Sequence, residues 1–307
     1  MNQAARSVTA TTDFTPAQPN VSVIMVAYRT GESLEKAIRS VLDDPAVNEL
    51  VMVDNGSAEA TAEGLRVLAR DEPRVVLLQG HGNIGFARGA NRGMLAAHGH
   101  YVVFLNPDAF LQAGCVDALI RGLNGQPPRS LVGACILNPD GREQRGSRRG
   151  EVNVLSAVMT LSQLSRRFPN LDAYEIYRNH DVMPEGLVPI PTISGACFAA
   201  SLEDFKALGG FDEGYFLHVE DVDLCWRARR SGGSVLFQPT AKVVHLGHTS
   251  KSSPWRVEMH KGLGLTRYLL KRAENLPAYL AALILLPLIM LTAMVRPVVW
   301  HVRGRRA

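Results

Sequence analysis

The chain has 307 residues, 46% of them hydrophobic and 20% charged, which is enough to bury a sizeable core in one large domain, with or without extensions. Its formal net charge of +4 gives no reason to invoke nucleic acid, and it suits an anionic lipid surface or an anionic substrate equally well. The four cysteines, Cys115, Cys135, Cys197 and Cys225, have spacings that fit neither a zinc site nor a compact disulfide framework, and they are expected to be reduced core residues of a cytosolic domain.

Residues 1–19 are polar, lack the apolar stretch of a secretory signal and are expected to form a disordered lead-in. A domain is expected over 20–250. Val21 to Ala27 is a continuous apolar run and predicts a buried strand. Leu34, Ala37, Ile38, Val41 and Leu42 then recur at helical spacing. Residues 50–53 are a second apolar run and 58–70 are helical in character. Residues 75–78 are a third run. Phe86, Ala90, Met94 and Ala97 share one helical face, and 101–105 are a fourth run. This alternation, repeating about every 25 residues, predicts an α/β fold with a mostly parallel central sheet and flanking helices.

In such sheets ligands sit outside the carboxyl ends of the strands. The four runs end in Ala27-Tyr28-Arg29, Asp54-Asn55-Gly56-Ser57, Gly80-His81-Gly82-Asn83 and Asn106-Pro107-Asp108. Polar residues at four consecutive strand ends predict a pocket for a polar, phosphorylated ligand.

The second half is less regular. Residues 131–138 and the turn Asn138-Pro139-Asp140-Gly141 predict a hairpin. Residues 151–183 are ambiguous and read as a mobile helical insertion. A small apolar run at 193–200 precedes a short helix at 202–208. Residues 220–230 predict a helix that opens with acids, which complements its dipole. Residues 235–238 and 243–245 read as two short strands. From 275 to 295 run 21 residues without a formal charge, long enough to cross a hydrocarbon layer of roughly 30 Å. Pro277, Pro287 and Pro297 interrupt it. Lys271 and Arg272 on one side and Arg296, Arg303, Arg305 and Arg306 on the other leave its orientation open. A buried terminal helix is the competing reading; a membrane-associated segment over 251–307 is preferred.

Several constellations bear on chemistry. Gly80-His81-Gly82-Asn83-Ile84-Gly85 matches a dinucleotide fingerprint. It follows the third run rather than the first, however, and the ribose-binding acid expected about 20 residues on is replaced by Asn106-Pro107-Asp108. Asp108 ends an apolar strand and suits a divalent cation that bridges a diphosphate. Asn138-Pro139-Asp140 repeats the tripeptide but is followed by Gly141, so Asp140 is read as turn structure. Among Phe211-Asp212-Glu213 and His218-Val219-Glu220-Asp221-Val222-Asp223, the last acid is expected to be solvated. Glu220 and Asp221 are candidates for function, since an attacking hydroxyl needs a general base. His245 and His248 form an H-x-x-H without a second ligand pair; His245 alone can join Asp108 on a cation or be a core histidine.

As an ordered set, Val21 to Tyr28, Val53-Asp54-Asn55-Gly56-Ser57, Asn83-Ile84-Gly85-Phe86-Ala87 with Asn91, Phe104-Leu105-Asn106-Pro107-Asp108, and Gly210-Phe211-Asp212-Glu213 through Glu220-Asp221-Val222-Asp223-Leu224 resembles the family 2 glycosyltransferases, closest to their rhamnosyltransferase-like branch. The resemblance covers roughly 20–250. It implies a GT-A fold, with a nucleotide-binding half (20–110) and an acceptor-binding half (111–250). It places Asp54 on the nucleobase or ribose and Ala27 and Tyr28 beside the base. Asn83, Arg88, Asn91 and Asn106 fall around the nucleotide-sugar. Asp108 takes the last position of the metal-binding D-x-D-type motif, whose first acid is here Asn106, and His245 joins it on Mg2+ or Mn2+. Asp221 matches the general base, with Gly195, Glu220, Arg148 and Arg149 toward the acceptor.

The reaction so implied is an inverting, in-line transfer of a sugar from a nucleotide-sugar, with dTDP-L-rhamnose the favoured donor. The acceptor is a glycan or a polyprenyl-diphosphate-linked sugar in cell-envelope polysaccharide synthesis, at the cytoplasmic face of the plasma membrane. The arginines at 142–149 suit a diphosphate, although a solvated loop is their plainer reading. Two alternatives stand beside this one. A nucleotidyltransferase usually wants a Gly-rich basic loop after the first strand, where this chain has Tyr28-Arg29-Thr30-Gly31-Glu32. A non-catalytic, membrane-tethered sugar-nucleotide or glycan binder has no need of both Asp108 and Asp221.

Overall fold

A computed structural model describes residues 20–162, 168, 171, 174–247, 249 and 253–304. The expected lead-in at 1–19, part of the insertion at 151–183, and His248, Arg305 and Arg306 lie outside the described residues.

Strands β1 (Val21–Ala27), β2 (Glu49–Asp54), β3 (Val75–Leu78) and β4 (Tyr101–Leu105) alternate with helices α1 (Ser33–Leu42), α2 (Glu59–Asp71) and α3 (Phe86–Ala96). The four strands are parallel, in the order β3-β2-β1-β4. Alternation along β1 explains its uninterrupted apolar sequence. Val23, Met25 and Ala27 face α1 and a helix α4 (Cys115–Leu123), while Ile24 and Val26 face α3. A strand covered on both faces has no polar side. Gly89 and Gly93 let α3 lie close: a Cβ on Gly93 would come within 2.6 Å of Ile24 Cγ2.

Beyond β4 the sheet is mixed. β5 (Ala109–Leu111) and β6 (Leu131–Leu137) are followed by β7 (Arg148–Arg149), α5 (Val154–Ser162), β8 (Val188–Pro189), β9 (Thr192–Ile193) and β10 (Cys197–Ser201). β10 runs antiparallel between β4 and β6, which pairs in parallel with β11 (Val235–His245). β5 and β8 flank β11 antiparallel, and β7 and β9 form a separate ribbon. The two short strands expected at 235–238 and 243–245 are one strand. Its register shifts between Gln238 and Lys242, so the Pro239-Thr240 interruption is absorbed as a bulge. The turn at 138–141 is as expected: Gly141 has φ +81°, Asp140 is exposed, and Leu137 bridges back to Glu143.

Helix α6 (Leu202–Ala207) is capped by Ser201 and leads to α7 (Glu220–Arg230). A cluster of phenylalanines, Phe104 on β4, Phe198 on β10, Phe205 and Phe211, has ring centroids 4.6–6.1 Å apart. Phe211 is thereby an apolar plug that fixes the acidic segment following it to the sheet. All four cysteines are free and buried.

α8 (Pro254–Arg272) and α9 (Leu276–Gly304) close the chain as a packed pair. Tyr268 and Leu269 of α8 and Ala282, Leu285 and Ile289 of α9 share a core with Tyr215 and Val222. Of α9, Leu276–Val298 has a mean hydropathy of 2.4 with 22% of its apolar window buried. One face packs on α8, and the other exposes Leu280, Ile284, Leu288, Leu291 and Val295.

Candidate functional site

Strand order reverses direction between β1 and β4: the chain steps outward from β1 to β2 and β3, then returns to the other side of β1. Crevices form at the carboxyl ends of strands beside such a switch point. Ala27 and Tyr28 leave β1 there, and Asn106-Pro107-Asp108 leave β4.

Asp54, at the end of β2, is buried and fixed locally. Its Oδ1 accepts from the Gly56 and Ser57 amides at 3.1 and 2.8 Å, and its Oδ2 accepts from Gln79 Nε2 at 3.1 Å. Asn55 donates to Gly85 O at 2.8 Å and contacts His81 Nε2 at 3.0 Å. The glycine-rich segment thus closes on the β2 end. Gly85 enters α3 with φ +87°, and a Cβ there would meet Phe216 O at 2.6 Å. Only glycine permits this approach of the 211–219 segment. Asn83 is exposed with Oδ1 on the Gly85 amide, and Arg88 is exposed 3.6 Å from Glu213.

Asn91 departs from expectation. Its amide exchanges two hydrogen bonds with the Phe211 backbone, each 2.9 Å, and reaches Glu213 at 3.1 Å. It latches α3 to the acidic segment and leaves little capacity for a ligand.

Asp108 lies 137 residues from His245 in sequence, yet Oδ1 and Nε2 are 3.1 Å apart. Thr249 Oγ1 donates to Oδ2 at 2.9 Å, and Asn106 Nδ2 is 3.3 Å from His245 Nε2. Gln144 Oε1, 2.7 Å from His245 Nδ1, accepts the proton on that nitrogen, and Gln144 Nε2 donates to His245 O at 3.0 Å. Nε2 faces Oδ1 at hydrogen-bond distance, and a cation in place of the shared proton would meet the Nε2 lone pair and the carboxylate together. Burial pushes Asp108 upward, but hydrogen bonding and charge from His245, with Thr249, bring its carboxyl below the usual range. A divalent cation fits such a pair of acceptors, provided that a diphosphate and water complete its shell. Among the described residues no cluster of three or more His, Cys, Asp or Glu side chains suits a metal.

Asp221, in the first turn of α7, has an asymmetric environment. Oδ2 accepts from Gly195 N at 2.9 Å and from Arg149 Nη2, which also donates to Ile193 O; Oδ1 accepts from Val222 N at 2.8 Å. Burial pushes Asp221 up, and the Arg149 charge and these bonds more than reverse it. Glu220 is 7% exposed, its Oε2 has no partner, and burial with the neighbouring Asp221 charge pushes it up to about 8. The two residues before α7, His218 and Val219, have φ +67° and +73°, strained for a β-branched side chain.

The Asn106–Asp108 strand end and Asp221 are linked through the backbone. Ala196 O accepts from the Asn106 amide at 2.9 Å, and the preceding residue, Gly195, donates to Asp221. Two consecutive residues before β10 therefore join them.

The arginine cluster does not survive as a diphosphate-binding unit. Arg148 is 5% exposed and spent on Glu143, Asp181 O and Val182 O. Four of its five N–H donors are engaged, and its burial keeps it from an acceptor. Arg149 is turned onto Asp221, Arg145 stacks on Tyr177 at 3.9 Å, and Arg142 is exposed. The expectation for Asp223 is also corrected. It is fully buried, 2.7 Å from both Arg227 Nε and Lys271 Nζ. Its position in the first turn faces α8 rather than solvent, which the acidic run conceals. No local pattern marks Gln144, Thr249 or Lys271, since each acts on a partner more than 45 residues away.

The profile of the family described as "Glycosyl transferase family 2" matches residues 22–208. The N-acetylglucosaminyl-diphospho-decaprenol L-rhamnosyltransferase of Mycobacterium tuberculosis is 28% identical over 235 residues, which cover 73% of this chain and 75% of that protein. Among solved structures, GalNAc-T7 with UDP, GalNAc and Mn2+ superposes with a TM-score of 0.63 at 17% identity over 82% of this chain, which spans 48% of that one. The mannosyltransferase PcManGT from Pyrobaculum calidifontis, in complex with GDP-Man and Mn2+, gives 0.58 at 18% identity over 91% of this chain and 74% of that one. At these identities the likeness shows the fold, which is GT-A.

Proposed function

The chain belongs to glycosyl transferase family 2, and from that premise we propose that it is an inverting rhamnosyltransferase acting on a polyprenyl-diphosphate-linked sugar at the cytoplasmic face of the plasma membrane. The observation that carries the reading is the joining of Asp221 to the Asn106–Asp108 strand end through Gly195 and Ala196. A proton acceptor and a diphosphate-side carboxylate then flank one crevice at the sheet's switch point.

In this reading Tyr28 and Asp54 border the nucleoside, with Asn83, Arg88 and Asn106 around the remainder of the donor. Asp221 Oδ2 is occupied by Arg149 and Gly195, so Oδ1 takes the proton from the acceptor hydroxyl as that oxygen attacks the anomeric carbon. Attack from the face opposite the departing nucleoside diphosphate inverts the configuration. Asp108 and His245 would hold Mg2+ or Mn2+, which when bound neutralises charge on the leaving diphosphate. The similarity to a decaprenol-diphosphate-linked rhamnosyltransferase supports the donor and acceptor class. The exposed apolar face of α9 supports contact with a bilayer.

The test is transfer of labelled rhamnose from dTDP-L-rhamnose to a polyprenyl-diphospho-N-acetylglucosamine in detergent or vesicles, with Mg2+ or Mn2+ and against a panel of UDP- and GDP-hexoses. Turnover confined to a UDP- or GDP-hexose would replace the donor, and turnover undiminished by a chelator would remove the cation.

A further inference from the structure

Glu220 and Asp221 are consecutive carboxyls in a buried setting, where two negative charges side by side are costly and one tends to keep its proton. The fold treats them unequally. Three donors serve Asp221, namely Arg149 Nη2, Gly195 N and Val222 N, whereas the Glu220 carboxyl is met by its own backbone amide. Glu220 Oε2 is buried without a partner. Arg149 is itself placed by the small ribbon, where it pairs with Thr192 while Arg148 pairs with Ile193. Its guanidinium bridges Ile193 O and Asp221 Oδ2, which ties the ribbon to the first turn of α7.

We propose that Arg149 is a positioning residue that selects Asp221 over Glu220 as the working carboxylate and leaves Oδ1, which carries only the Val222 amide, as its proton-accepting atom. The inference rests on the reading of Asp221 as the base. Opposite shifts within the pair agree with it: burial raises both, but Arg149 and the two amides bring Asp221 down while Glu220 stays up at about 8. The other groups facing this cluster do not supply the selection. The Cys225 thiol, pushed up to about 12 by burial, is neutral, and Arg229 acts on Cys225 and Glu151. Tyr177 faces Arg149 rather than the carboxyls.

The experiment is the pH dependence of kcat/KM for the full chain and for Arg149→Gln and Arg149→Lys, with donor affinity and thermal unfolding measured in parallel. Asp221→Asn comes first: if it turns over normally, the base assignment fails and the Arg149 inference falls with it. With Asp221→Asn inactive, Arg149→Gln is expected to move the acid limb upward by about 1–3 pH units, the span an opposite charge at this range imposes. Activity should recover at high pH, and Arg149→Lys should lie between that variant and the wild type. A folded Arg149→Gln enzyme with reduced kcat and an unmoved limb would overturn the proposal. If both variants bind donor normally but are inactive at every pH, Arg149 contacts the acceptor instead, and the proposal is again overturned.

Discussion

On the β1–β4 side the functional side chains are held mainly by neighbours close in sequence or on the adjacent strand. Asp54 is fixed by amides two and three residues on and by Gln79 at the end of β3. At the end of β4 and on the other side they are held across the chain: Asp108 by His245, Asp221 by Arg149, and Asp223 by Lys271 on α8. The first arrangement is a strand end with its own turn, and it forms whenever the parallel sheet forms. The second depends on β7, β11, α7 and α8 all docking, so its geometry is a property of the complete fold. Lys271 also binds Asp212, and Arg267 joins it at 3.0 Å. α8 therefore grips both ends of the segment that delivers Asp221.

The comparison breaks most sharply at the two carboxylates. Asp221→Asn is expected to cost about 10²–10⁴-fold in kcat, the usual share of general-base catalysis, while donor affinity by calorimetry stays at the wild-type value. Asp108→Ala is expected to remove the metal dependence of donor binding as well as turnover. A variant that keeps its response to Mn2+ would disconnect Asp108 from the cation.

Smaller effects read the scaffold. Phe211→Ala should lower stability by about 3–5 kcal/mol, as emptying a packed aromatic site does, measured by chemical denaturation. Lys271→Met leaves Arg227 as the principal partner of a buried Asp223. We expect a loss of about 1–3 kcal/mol and a fall in kcat larger than any change in donor affinity. Equal stability in wild type and variant would release α8 from its role. Glu220 gives a pH signature. Its carboxyl is raised in the fold from an ordinary 4.5 to about 8, so the folded state holds the extra proton between those values, and stability from this group falls as pH rises through them. Glu220→Gln is accordingly expected to raise the unfolding temperature more at pH 8 than at pH 5; a pH-independent difference would contradict the buried neutral acid. Asp140→Ala, in an exposed turn, should stay within about 0.5 kcal/mol.

These same differences govern what the chain discloses before folding. β1 to β4, their helices and the polar strand ends were legible because period, apolar runs and terminal residues are local signals. Motif singles out Asp108, His245 and Asp221, and the fold puts His245 against Asp108 and links their strand end to Asp221 through Gly195 and Ala196. What failed was long-range. Asp223 reads as one more acid in a solvated run until α8 arrives to bury it. Arg148 and Arg149 read as a cluster until β7 sends one to Glu143 and the other to Asp221. Asn91 reads as a ligand contact until the Phe211 backbone takes its amide. Gln144 gives no signal at all, since its role exists only once β11 presents His245. Residues 235–238 and 243–245 read as two strands, whereas a bulge carries one strand through Pro239.

The central claim is that one crevice holds a nucleotide-sugar opposite a carboxylate base and transfers the sugar in a single displacement. The direct measurement is the anomeric configuration of the product, read by NMR from a preparative reaction with a donor of defined configuration. The account predicts a product of opposite configuration to the donor from the wild type and none from Asp221→Asn. A product of retained configuration, or inverted product formed at the wild-type rate by Asp221→Asn, would contradict it.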